Sequence, residues 1–476
     1  MRDVLQWRGI PEVPVVLAAV LAVYASSLND YFHGDDFVAM VDLATKSTSQ
    51  HLRDAFMFQD TNFYWRPLGQ VYYRTIYEVF GLEPWAFRAG NLVIFLVTLV
   101  LLHRFCLNFG LPRAAAFAAV LLFGLFPNHV VSVAWITNAP RLLATMFFLL
   151  SLLSLQRALP NDSRRYEALA FVSFVAACLS DEVYIALAPV PLAYMFFLHP
   201  ETRRPLRMGV RAFALAAVAA VLLPLQFIYT MDDDARLLKY GFSEEVVEQV
   251  WALAAQLSLP LADSNPMDTP FAWMPAEQWA AGAATLAAAG LLFVFGGALM
   301  RFLVVWFACA LAPFMLFDWD VVPPRYVYMA AIPFSIAAAQ LLFLAVQRVR
   351  QPVIKGASLG AVTIVLVAAV VFGVVKTYER DKDWEHSTAK FEVLVRGLKE
   401  TYPEIPPGSR VVINYGIWNT FYKWPESAIQ TIYKDSSIRV VSVPPDRVPN
   451  VQPEKRPGDI VVNYLGGRFS KSFVSR

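Results

Sequence analysis

The sequence predicts an all-α polytopic membrane protein of about eleven transmembrane helices, with a small extracytoplasmic α/β domain at its C-terminal end. Three observations predict it. The 476 residues are 57% hydrophobic and only 16% charged, with a mean hydropathy of +0.47; a soluble chain of this size cannot keep so much apolar surface from water. The apolar residues fall in blocks of about 18–22, the length a helix needs to cross hydrocarbon. Beyond Lys376 the blocks stop, and charged and strand-like runs replace them.

The blocks run near 11–28, 89–109, 113–130, 135–157, 166–180, 183–198, 208–229, 277–300, 302–317, 326–346 and 355–375. The first is preceded only by Arg2 and Arg8 and followed by no small-residue cleavage site, so it reads as a retained helix rather than a signal peptide. The blocks at 166–180 and 183–198 are short and close together, which suits tilted or partly re-entrant helices. One alternating set of short connections carries Arg2, Arg8, Arg113, Arg157, Arg164, Arg165, Arg203, Arg204, Arg207, Arg301, Arg348, Arg350 and Lys355. Positive charge in short loops marks the cytoplasmic side. The N-terminus is then cytoplasmic, and 29–88, 230–276 and the tail from Lys376 are outside. The setting expected is a bacterial inner membrane.

The loop 29–88 holds two helical stretches, Asp36 to Phe58 and Pro67 to Phe80. Tyr72, Tyr73, Tyr77 and Trp85 suit the headgroup layer, as interfacial helices do. The loop 230–276 opens with Asp232-Asp233-Asp234, has one helical piece from Glu244 to Leu257, and is irregular from Pro260 to Pro275. The tail reads as a charged helix from Tyr378 to Tyr402 and three strands, near Arg410, Ile438 and Asp459. A helix from Glu426 to Lys434 lies between the first two. The domains are thus 1–375, transmembrane, and 376–476, extracytoplasmic.

Several chemistries are excluded by what the sequence lacks. The net charge of +2 argues against nucleic acid. Cys106, Cys178 and Cys309 lie within apolar blocks and read as small buried hydrophobes. No Walker A run, GxGxxG, HExxH or GxSxG is present, and six scattered histidines do not make a zinc cluster.

The chemistry-bearing residues gather at the outer ends of the spans. Asp35 and Asp36 follow the first span within Tyr31-Phe32-His33-Gly34-Asp35-Asp36-Phe37. Charge is costly near hydrocarbon unless it is paired or functional. Adjacent residues point different ways, so one carboxylate can serve as general base while the other orients a sugar or holds a divalent cation. The plainer alternative is an Asp pair that caps the following helix; Asp36 is the better placed cap and Asp35 the better base. No cofactor is otherwise called for. His33 lies in the same corner as a candidate substrate contact. Arg66, before Pro67, stands at a helix start and can bind an anion, or merely snorkel to the headgroups. Arg141 and Arg325 open two further spans in the same way, with Tyr326 beside the second. Asp181 and Glu182 lie between the two short spans and otherwise read as a polar turn. The convergence of these features on one face points to a site.

These residues resemble the GT-C superfamily of integral-membrane glycosyltransferases, and within it the protein O-mannosyltransferase-like branch. Asp35-Asp36-Phe37 matches the acidic pair of that branch's first outer loop. Tyr64-Trp65-Arg66-Pro67-Leu68 matches its Tyr-Arg-Pro-Leu-like run, and Ala139-Pro140-Arg141-Leu142-Leu143 loosely matches its Gly-Arg-Ala-Asp/Glu-Leu run. Arg325-Tyr326-Val327-Tyr328 matches an Arg-Tyr-Leu-Tyr-like run. The family's Lys-Glu pair is here Asp181-Glu182, a change of charge. The resemblance runs from Val13 to Gln347; the tail lacks the tetratricopeptide-like repeats of some relatives. It implies inverting transfer of a sugar from a polyprenyl-phosphate donor to a protein or glycolipid acceptor on the extracytoplasmic face. Asp35 and Asp36 would be catalytic, Arg66, Arg325 and Arg141 would bind the donor phosphate, and His33, Asp181, Glu182 and Tyr326 would contact substrate. The competing readings are a non-catalytic GT-C-like subunit of a larger complex and a lipid-linked-sugar flippase. The flippase predicts mid-membrane charges and matching half-repeats, and neither is seen.

Overall fold

The computed structural model describes residues 12–57, 64–199, 246–259, 269–270, 275–316, 321–349, 351–413, 425–442, 456, 458–465 and 468–473, and all counts are of these residues. Arg2, Arg8, the block 208–229, Arg203, Arg204, Arg207, Arg350, Asp232-Asp233-Asp234 and most of 260–275 lie outside them. Six helices are long and apolar enough to cross a membrane: Pro84–Asn108, Ile136–Asn161, Ala276–Phe295, Ala298–Met315, Pro324–Gln347 and Ala357–Thr401. Three shorter apolar helical segments are Glu12–Tyr24, Arg113–Gly124 and Glu182–Leu198. The protein is an integral membrane protein.

Contacts divide the chain into two units. The first contains Met1–Ser26, Asn91–Ala134 and Asn138–Asp383; the second contains Ser27–Gly90, Trp135–Thr137 and Trp384–Arg476.

In the first unit, local chemistry explains where helices stop. The block expected at 113–130 ends as a helix at Gly124 and resumes as a short helix, His129–Ala134, because Pro127 cannot continue the ladder. The block expected at 183–198 starts as a 3₁₀ turn, Glu182–Leu187, and becomes α-helical at Pro189, a residue suited to a first turn. Helices Ala139–Asn161 and Arg164–Ser180 form a hairpin turned by Asp162 in the left-handed region at φ 45°. Aromatic rings fill the interior: Phe105 meets Trp306 edge-on at 5.6 Å, and Trp306 meets Phe148 at 5.7 Å. Gly373 permits a close approach, since a Cβ there would lie 2.5 Å from the Leu125 carbonyl oxygen.

Helix Pro352–Thr401 is a single 50-residue rod. The sequence reading placed a span end at 375 and a separate helix from Tyr378. No Pro occurs between Pro352 and Pro403, and the one Gly after Gly373 is Gly397, near the helix end, so nothing stops the ladder where the composition changes.

In the second unit the helix expected from Asp36 to Phe58 is two, Asp36–Thr45 and Thr48–Phe56. Ser47 separates them and caps the second, its Oγ accepting from the Gln50 N–H. Helix Pro67–Phe80 forms as expected and ends at Gly81, whose φ of 68° favours glycine. Buried Arg74 rivets these helices by donating to the Asp42, Leu43 and Lys46 carbonyls. The C-terminal part forms a four-stranded sheet in the order Arg439–Ser442, Arg410–Ile413, Ile460–Leu465, Arg468–Phe473. The first three strands are parallel, and helix Pro425–Tyr433 makes the crossover between Arg410–Ile413 and Arg439–Ser442. The fourth, antiparallel strand was not expected.

Candidate functional site

The acidic corner lies in the second unit. Asp36 is fully buried, and both its oxygens are held by main-chain donors. Oδ2 accepts from the His33 N–H at 2.8 Å, and Oδ1 from the Thr137 N–H at 3.1 Å. This corrects the capping expectation. The residue at the cap position of helix Asp36–Thr45 is Asp35, and no side chain caps that helix. Asp36 sits in the first turn, where its side chain reaches back to residue 33 and across to 137. Asp35 is half-buried.

Arg88 is the third charged member of the corner. It is 1% exposed and donates to the Asp30 carbonyl at 2.9 Å and the Tyr31 carbonyl at 2.6 Å. Burial pushes the Asp36 carboxyl up to about 7, against the pull of Arg88 and of the two N–H donors. Burial, helped by Arg88, pushes the His33 imidazole down to about 4, so it is neutral at pH 7. His33 stacks on Trp384 at 4.7 Å, meets Phe391 and Trp135 edge-on at 5.1 and 6.0 Å, and places Nε2 3.1 Å from Ser387 Oγ.

A pH effect on stability follows. The raised Asp36 pKa means that the folded chain holds a proton the unfolded chain releases. This contribution is complete below the ordinary carboxylate pKa of about 4 and is lost as pH rises toward 7. Thermal midpoints in detergent should fall more steeply from pH 4 to pH 7 for wild type than for Asp36→Asn, whose amide does not titrate. Equal slopes would mean that Asp36 is ionised throughout.

Arg66 belongs to the same unit. It sits at the cap position before Pro67, half-buried, with its guanidinium 4.6 Å from the Tyr64 ring centroid. Trp65 is anchored beside it by donation from Nε1 to the Ala55 carbonyl at 3.0 Å.

The remaining expected residues form a cluster in the first unit. Arg141 is 5% exposed and Asp181 fully buried, and Arg141 Nε donates to Asp181 Oδ2 at 3.0 Å. The snorkelling alternative for Arg141 is therefore overturned: its charge is turned inward and paired. The Arg141 guanidinium lies 5.3 Å from the Phe314 ring and 5.5 Å from the Tyr326 ring, and these two rings stack at 4.5 Å. Tyr326 also lies 5.0 Å from the Arg325 guanidinium. Tyr184 Oη contacts Thr145 Oγ1 and donates to the Arg141 carbonyl. Arg325 and Glu182 are half-buried. Asp318 and Asp320, which precede Pro324 in the sequence as two further acidic groups before that span, lie outside the described residues.

Sequence reading missed Arg88, Thr137, Trp384 and Ser387. Arg88 had a signal, a charge in the first turns of an apolar helix, which is retained only where it faces the protein interior. The others act through contacts between distant parts of the chain and have no local signature. For a cation, no group of three or more His, Cys, Asp or Glu side chains gathers among the described residues. Both Asp36 oxygens already accept N–H groups, so a cation at Asp35–Asp36 would need ligands from substrate or water.

Comparison with known proteins agrees with this architecture. The dolichyl-phosphate-mannose-protein mannosyltransferase family matches residues 66–227, which include Arg66, Arg141, Asp181 and Glu182. Protein O-mannosyl-transferase TMTC1 of Mus musculus is 33% identical over 163 residues, covering 31% of this chain and 17% of its own length. Protein O-mannosyl-transferase TMTC3 of Homo sapiens is 25% identical over 276 residues, covering 54% of this chain and 29% of its own. The chain thus spans less than a third of these relatives. In fold it is similar to the Archaeoglobus fulgidus oligosaccharyltransferase tethered with an acceptor peptide, with TM-score 0.53, 11% identity and coverage of 92% of this chain and 64% of that one. It is also similar to ArnT from Cupriavidus metallidurans bound to undecaprenyl phosphate, with TM-score 0.52, 12% identity and coverage of 90% and 86%. Over part of its sequence the chain is thus similar to protein O-mannosyl-transferases, and in fold it is similar to these two proteins.

Proposed function

We propose that the protein is an inverting glycosyltransferase that moves a sugar from a polyprenyl-phosphate donor to a protein or glycolipid acceptor on the extracytoplasmic face. The observation that carries this is the division of labour in the acidic corner. Asp36 is locked by two N–H groups and buried, while Asp35, next to it, is partly open to solvent. Asp36 orients and Asp35 takes the proton. The acceptor oxygen attacks the anomeric carbon, its proton passes to Asp35, the bond from that carbon to the phosphate oxygen breaks, and polyprenyl phosphate leaves. Positive charge develops on the sugar beside the carboxylates, and negative charge on the phosphate is met by arginine.

Two groups are proposed as anion contacts, each on its own grounds. Arg66 stands at a helix N-terminus, which favours phosphate. Arg325 is the second residue of the 3₁₀ turn Pro324–Val327, its guanidinium over the Tyr326 ring. Glu182 keeps a proposed role as a substrate contact, whereas His33, Asp181 and Tyr326 are engaged with protein groups. Substituting Arg66→Gln or Arg325→Gln should raise the donor KM by about 10-fold or more, the worth of one charge-assisted hydrogen bond, with little change in thermal midpoint. An unchanged KM in both would leave the two arginines as headgroup anchors.

The placement of the tail outside the membrane is tested separately. A cysteine introduced at exposed Glu400 should react with an impermeant thiol reagent in intact spheroplasts. Labelling only after lysis would reverse the orientation.

A further inference from the structure

We propose that Trp384, Ser387 and Thr431, all from the C-terminal part of the chain, are positioning residues for Asp35 and Asp36. The inference rests on the glycosyl-transfer reading above and assigns the C-terminal module a task within it.

Asp35 lies between two points that must be fixed if its carboxylate is to meet a hydroxyl at the right distance. Gly34, just before it, offers no side chain to hold the chain. The upstream point is His33. Its ring is stacked on fully buried Trp384, flanked by Phe391 and hydrogen-bonded through Nε2 with Ser387 Oγ. Its own N–H in turn holds Asp36 Oδ2 at 2.8 Å. The downstream point is the first turn of helix Asp36–Thr45. There Thr431 Oγ1, on crossover helix Pro425–Tyr433, donates to the Phe37 carbonyl at 3.1 Å. Both ends of the five-residue stretch from His33 to Phe37 that carries Asp35 and Asp36 are therefore set by C-terminal side chains of the same unit. A general base misplaced by an ångström loses much of its effect. These three residues need not touch substrate to matter.

The test uses full-length protein in detergent with a polyprenyl-phosphate sugar. It measures kcat, donor KM and thermal midpoint for Ser387→Ala, Ser387→Thr, Thr431→Val and Thr431→Ser beside wild type and Asp35→Asn. Ser387→Ala and Thr431→Val should each lower kcat by about 10-fold, with donor KM and midpoint nearly unchanged. The hydroxyl-retaining Ser387→Thr and Thr431→Ser should recover most of it. Wild-type kcat in both hydroxyl-less variants, with Asp35→Asn inactive, would overturn this inference alone. So would a kcat that falls only in step with the midpoint and is not recovered by the hydroxyl. A wild-type protein that transfers no sugar would overturn the glycosyl-transfer reading and this inference with it.

Discussion

An Asp35→Asn protein should transfer sugar more slowly by a factor of about 10²–10⁴, the usual worth of a general base. The substitution keeps size and shape and removes the basic oxygen pair. Asp35 makes no side-chain cap, so helix Asp36–Thr45 should survive intact. Donor KM should change little, because phosphate recognition is assigned to arginine. Asp36→Asn should behave differently. Its amide must face a main-chain N–H with a donor where the carboxylate had an acceptor. The cost should appear as lost stability of about 1–3 kcal/mol, with any loss of rate following from misplacement of Asp35. Transfer kinetics and thermal midpoints for the two variants separate these roles. Full transfer by Asp35→Asn would move the base to Asp36.

The second large effect is expected at Arg141 and Asp181. Each is buried, and each neutralises the other at 3.0 Å. Removing one partner strands a charge in a poorly solvated place, at a cost of about 3–5 kcal/mol. Arg141→Met alone and Asp181→Leu alone should both sharply lower the thermal midpoint. The double substitution replaces the pair with apolar groups of similar volume and should recover most of the loss. Additive losses in the double variant would show that the two charges are not compensating one another. The pair also gives a physical meaning to the acidic residue at 181. It is the counter-ion of this chain's own Arg141.

Much of the scaffold was legible because hydrophobic length and turn chemistry are local. The apolar blocks mark the membrane helices, Pro67 and Gly81 bound one helix of the second unit, and alternation of Val and Ile marks three strands of the C-terminal sheet. The misses also have physical causes. The break at Lys46–Ser47 is a capping event inside a run that looks uniformly helical. The rod Pro352–Thr401 passes from apolar to charged without a stop signal, so a change of solvent was read as a change of element. Strand Arg468–Phe473 is too polar to read as buried, and only the Gly466-Gly467 pair before it hints at a hairpin. In the candidate site, Asp35, Asp36 and Arg66 were visible as charges near apolar blocks. Which carboxylate is locked was not visible, because the lock depends on Thr137, a main-chain donor about a hundred residues away in sequence. Arg88 was lost because its span was read from residue 89, five residues inside helix Pro84–Asn108.

The central claim is that the acidic corner performs glycosyl transfer. It is tested most directly by measuring sugar transfer from a polyprenyl-phosphate donor with purified wild-type protein and with the double variant Asp35→Asn/Asp36→Asn, both shown to be folded by their thermal midpoints. The account predicts transfer by the wild type and none above background by the double variant. Undiminished transfer by the double variant would contradict it.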